Sequence, residues 1–214
     1  TFNMKSKDYL KDLNEIKHLM NKSSRFMSLS GLSGILAGFY ALIGAYMAYS
    51  IIYRDNVISK DGYKTLVLDG EDIINVAIIA FVVVTLSIIT GIYLSWRKAK
   101  TQNESFWNSA SQRLLINFLI PLATGGFFIL FLIEKEIYAF VAPLTLVFYG
   151  LALVNASKYT LGYIRYFGIT MIILGLASVW FLGYGLFFWT LGFGVCHIIY
   201  GALMHFKYDM KQYK

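Results

Sequence analysis

Residues 73–95 read Ile73-Ile74-Asn75-Val76-Ala77-Ile78-Ile79-Ala80-Phe81-Val82-Val83-Val84-Thr85-Leu86-Ser87-Ile88-Ile89-Thr90-Gly91-Ile92-Tyr93-Leu94-Ser95, without one charged side chain. At ~1.5 Å per residue, a helix of this length crosses the ~30 Å apolar layer of a bilayer. The stretch from Ile78 to Val84 does not alternate apolar with polar, which argues against a barrel strand. A segment in lipid that is not a barrel strand must satisfy its own backbone groups, so it is a helix.

Working outward, the same reading applies to residues 29–53, 114–133, 137–156, 161–182 and 184–206. Only the fifth contains a charge, Arg165, whose long side chain snorkels to the headgroups if the span starts at Leu161. The hairpin between the last two spans is very short and turns at Gly183. Pattern and length therefore predict an all-α polytopic membrane protein: six transmembrane helices in a compact bundle over 29–206. Residues 1–28 precede the bundle and residues 207–214 follow it.

Composition agrees. Of 214 residues, 57% are hydrophobic and only 14% charged, against roughly 25% charged in an ordinary soluble domain. Two prolines exclude Pro-rich classes, and the single Cys196 excludes a disulfide scaffold or a cysteine-based metal site. The first apolar run is longer than a signal-peptide core and is expected to stay in the membrane as an anchor.

Lys and Arg total 19. If the amino terminus is cytoplasmic, only Arg54, Lys60, Lys64 and Lys135 fall on the outer side, as the positive-inside rule requires. Both termini are then cytoplasmic, and the chain is a multi-pass protein of the cytoplasmic (inner or plasma) membrane. The net charge of +7 does not point to nucleic acid, because it is spread over juxtamembrane segments and accompanies no nucleic-acid motif. Attraction to anionic lipid explains it.

In residues 4–22, Leu10, Leu13, Ile16 and Met20 recur at helical spacing, with lysines on the other faces. This predicts an amphipathic helix lying on the inner leaflet, serving as an anchor, an oligomer contact or a docking surface for a cytoplasmic protein partner. Asp61-Gly62, between β-prone residues of the loop 54–72, predicts a short external hairpin. Asp69, Glu71 and Asp72 suit the positive end of the second span's dipole better than a calcium site, since the ligand order of an EF-hand is absent.

Within the spans, Gly34 and Gly38 lie four apart, as do Ala37, Ala41 and Ala45. Such stripes let backbones approach, either within the chain or in a homo-oligomer through the Gly34/Gly38 face. Pro121, followed by Thr124-Gly125-Gly126, predicts a kink or break in the third span. Pro143 is expected to bend the fourth span, and Gly192-Phe193-Gly194 to loosen the sixth. The fifth and sixth spans are dense in Trp, Phe and Tyr. Those rings serve either helix packing or the apolar wall of a ligand pocket.

By depth, Thr90, Asn117, Asn155 and His197 fall in the inner half, with Arg113 and Arg165 just below them. Two readings stay open: a polar vestibule toward the cytoplasm, or residues that only bond to one another and to backbone carbonyls. The candidate ligand-binding set is Arg113, Asn117, Thr124, Asn155, Arg165, His197 and Tyr200. It would suit an amphiphile with an anionic head such as a phospholipid. No cofactor is expected. His197 and His205 share one helix and cannot sandwich a haem, a zinc site needs three or four ligands, and no span lysine is present for a Schiff base. Spans without carboxylates argue against proton- or sodium-coupled pumping. The leading expectation is a non-enzymatic sensor, accessory or scaffold subunit. A small transporter or channel for a neutral or anionic solute comes second, and a lipid-modifying enzyme with His197 as base third.

Overall fold

The computed structural model describes Tyr9, residues 25–53 and residues 69–209. The amphipathic helix expected over 4–22, Tyr9 apart, and the hairpin expected within 54–68 lie outside the described residues. Helix accounts for 85% of the structure and no strand occurs among the described residues, which removes the barrel alternative.

Six helices are long and apolar enough to cross a membrane. They are α1 (Gly31–Ile52), α2 (Gly70–Thr101), α3 (Ser109–Glu134), the span Tyr138–Tyr159 built around α4 (Val141–Ala156), α5 (Tyr163–Trp180) and α6 (Gly185–Asp209). α4 is entered by a 3-10 turn, Tyr138–Phe140, and left by another, Ser157–Tyr159. Several boundaries are set by caps rather than by hydropathy. The Asp69 carboxylate accepts the N–H of Asp72 at 2.8 Å, with Glu71 and Asp72 in the first turn of α2. Asn108 and Ser111 cap α3 reciprocally. Because caps and polar turns continue the helices past the apolar layer, α2 runs to 32 residues, roughly 48 Å.

α1 packs on α2 and on α6; α4 packs on α3 and α5; the first half of α6 packs on α4 and α5. α6 thus joins two halves, while α2 and α3 form the flanks. In α2 only Ser95 and Ala99 are buried, and in α3 only Ala110, Ser111 and Gly125. The expected compact bundle is therefore drawn out, with broad apolar faces of α2 and α3 exposed. Lipid tails are as apolar as leucine, so close backbone approach rather than apolar burial selects which helices meet. That approach occurs at two seams. A Cβ on Gly201 of α6 would lie 2.6 Å from the Ile35 backbone nitrogen, and one on Gly150 of α4 would lie 2.6 Å from the Gly168 carbonyl of α5. The Gly34/Gly38 stripe faces this first seam: their Cβ atoms would meet Gly201, Ile198 and Gly194. α6 of the same chain covers the face that a homo-oligomer would use, so that assembly would have to displace it.

Two local expectations are corrected, and the loosening expected at Gly192-Phe193-Gly194 is found. α3 runs through Pro121 as one unbroken helix, so the expected break is absent. Pro143 lies in the first turn of α4, where a missing N–H matters little, and the change of helix type comes before it. The irregular helix is α6, which takes π turns over Thr190–Cys196 and His205–Asp209. The hairpin at Gly183 does form. Its φ of 92° is one that glycine adopts without strain, and Tyr53 at the end of α1 donates to its carbonyl at 3.0 Å.

Candidate functional site

Helix connectivity gathers Arg97, Lys98, Lys100, Arg113, Lys158, Arg165 and Lys207 at one end of the molecule, the basic end. The seven candidate ligand-binding residues do not form one cluster there.

Pro121 has no N–H, so the carbonyl four residues earlier, on Asn117, loses its helical donor. The Asn155 side chain of α4 donates to that carbonyl at 2.8 Å. The Asn117 side chain donates in turn to the Arg113 carbonyl at 2.8 Å. Asn155 therefore replaces the donor that Pro121 removes, and α3 continues through the proline. Thr124 is exposed and its hydroxyl donates back to the Ile120 carbonyl at 2.8 Å. The guanidinium-bearing residues Arg113 and Arg165 are exposed on α3 and α5, two helices that each pack on α4.

His197 lies elsewhere and is buried, 8% exposed. The π turn brings the Gly192 carbonyl within 3.1 Å of its Nδ1, and a carbonyl can only accept. Nδ1 therefore carries a proton, and in the neutral ring Nε2 accepts from the Tyr149 hydroxyl at 2.9 Å. The imidazole meets Phe193, near-parallel at 5.6 Å, and Tyr149 at 5.4 Å, two rings that also touch each other at 5.0 Å, with Phe167 edge-on at 4.7 Å. Tyr200 stacks on Phe167, and its hydroxyl lies 3.4 Å from that of Thr170. Both nitrogens of His197 are engaged, and the ring packs against Phe193, Tyr149 and Phe167. The arrangement is a packed core rather than the open vestibule.

Sequence reasoning missed Tyr149, which nothing sets apart among 16 tyrosines. It also missed a clasp at the basic end. One Asp209 carboxylate accepts from Lys98 Nζ at 2.7 Å, His205 Nδ1 at 3.0 Å and the Gly31 backbone N–H at 3.1 Å. It ties the start of α1, the end of α2 and the end of α6, and Lys98 and Asp209 are only 12% and 15% exposed. The i, i+4 spacing of His205 and Asp209 was the available signal. Among the described residues no three His, Cys, Asp or Glu converge as metal ligands.

These spans define a class: a multi-pass helical membrane protein. No family model matches the chain, and no curated protein or solved structure is similar to it.

Proposed function

We propose that this chain is a non-enzymatic integral membrane protein acting as a sensor, accessory or scaffold subunit. In this reading it lies in the cytoplasmic membrane with both termini cytoplasmic, and its basic end faces anionic lipid. The supporting observation is that the polar candidates Asn117, Thr124, Asn155 and His197 are spent on the protein itself. Asn155 and Asn117 serve carbonyls of α3, Thr124 serves its own helix, and His197 has both nitrogens bonded. A solute path needs polar ligands that exchange with the solute, and each of these would first have to break a bond already made. The exposed Arg113 and Arg165 are forks suited to lipid phosphate. The exposed faces of α2 and α3 are left for lipid or for a membrane partner.

One observation favours transport as a second reading: the π turn beside buried His197, since such turns often mark functional sites. A flux assay separates the two. In proteoliposomes, entry of a labelled neutral polyol and of chloride should match protein-free vesicles. Saturable uptake of either would overturn the scaffold reading in favour of transport.

A further inference from the structure

Residues 26–30 precede α1 without regular structure, yet they are among the most buried of the chain: Phe26 is 5% exposed, Ser28 1% and Ser30 8%. A buried extended segment must find partners for its backbone groups outside itself. This one takes them from three parts of the basic end. Phe26 donates its N–H to the Tyr159 carbonyl at 2.7 Å and accepts from the Thr160 hydroxyl at 2.8 Å, at the α4–α5 connection. The Ser28 hydroxyl donates to Glu104 at 3.0 Å, in the α2–α3 loop, where Phe106 also meets Phe26 edge-on. Lys98 donates to the Leu29 carbonyl at 2.9 Å, and Gly31 donates to Asp209. The segment is a strap threaded through the basic end.

The strap and two of its three walls each carry an exposed cation beside a contact residue. Arg25 begins the strap, Arg97 adjoins Lys98, and Lys158 adjoins Tyr159. No carboxylate among the described residues pairs with any of the three. Upstream of Arg25 the chain adds Lys5, Lys7, Lys11, Lys17 and Lys22. We infer that the strap is held in place by an anionic lipid surface: headgroup phosphates bridging Arg25, Arg97 and Lys158 keep it seated, and a neutral surface lets it leave. Juxtamembrane cations respond to surface charge in this way, and the response fades within a Debye length. When the strap leaves, the Tyr159 carbonyl, Glu104 and the Lys98–Asp209 clasp become accessible to a partner at that end. This deepens the proposed sensor role, and it rests on the basic end facing the anionic leaflet.

Hydrogen–deuterium exchange of the Phe26 and Gly31 amides reads the strap directly, because both N–H groups are bonded only while it is seated. The intact chain is placed in nanodiscs of phosphatidylcholine alone or of phosphatidylcholine with phosphatidylglycerol. Both amides should exchange roughly tenfold more slowly in the anionic discs, with α4 and α5 unchanged. The combined Arg25→Gln, Arg97→Gln and Lys158→Gln variant should lose the difference, and the Arg25→Lys and Arg97→Lys pair should keep it. Millimolar inorganic phosphate added to neutral discs should not reproduce it. Equal exchange of the wild type in both lipids overturns the inference whether or not any variant folds. So does a difference that survives the triple substitution, or one that free phosphate mimics. Nanodiscs present lipid at both ends, so this result is independent of the flux assay and of the topology in the cell.

Discussion

At the scale of single residues, the pairing of Pro121 with Asn155 explains more of α3 than either residue does alone. The proline removes one donor from the helix, and the asparagine of the neighbouring helix replaces it at 2.8 Å. The two positions should therefore be coupled. Asn155→Ala should lower stability by about 1 kcal/mol, a hydrogen bond of the size measured between membrane helices or slightly more. In a Pro121→Ala background the restored backbone N–H fills the Asn117 carbonyl, and the same substitution should cost less than half as much. Thermal unfolding of the four proteins in one detergent measures the cycle. Additive effects would refute the repair. Both residues are visible in the sequence, where they read as a break and as a candidate ligand. Their relation is not visible, because it depends on α4 lying beside α3 at that depth.

At the scale of elements, the seams between helices are made by glycines whose hydrogens are the only atoms that fit. Gly201 of α6 meets the backbone of α1, whereas Gly126 of α3 has nothing within 4 Å of the position a Cβ would take. Gly201→Ala should cost roughly 3 kcal/mol, since backbone cannot move aside as a side chain can. Gly126→Ala should be neutral or stabilise by up to about 1 kcal/mol, as alanine is the better helix former. Tm values that fall equally for both would show that the α1–α6 contact is looser than described. Small-residue spacing in the sequence located the α1 stripe but not its occupant. Many helices could fill such a groove, and the one that does is the last in the chain.

At the scale of the whole molecule, all the described cations but Lys135 collect at the basic end, while Asp69, Glu71, Asp72, Glu134 and Glu136 collect at the other. This polarity is the physical basis of the proposed orientation, since positively charged loops resist translocation. A reporter inserted after Lys135 should read as external and one fused after Lys214 as cytoplasmic. The reverse result would turn the molecule over and remove the basic end from the anionic leaflet. The drawn-out arrangement, with α6 central and α2 and α3 as flanks, leaves more apolar surface to the bilayer than a closed ring of six helices would.

The sequence by itself determined the number of spans, their helical character and the charge polarity of the two ends. Those follow from hydropathy over ~20 residues and from the distribution of Lys and Arg, both local properties that lipid reads segment by segment. Only the tertiary structure decided what the polar residues do. Asn155, His197 and Asp209 each find their partners on other helices or in an irregular turn: the carbonyl orphaned by Pro121, the Tyr149 hydroxyl, and the Lys98 ammonium with the first N–H of α1. In an apolar medium a polar group is defined by the partner that satisfies it. That partner is chosen by which helices touch, a non-local outcome that no single span encodes.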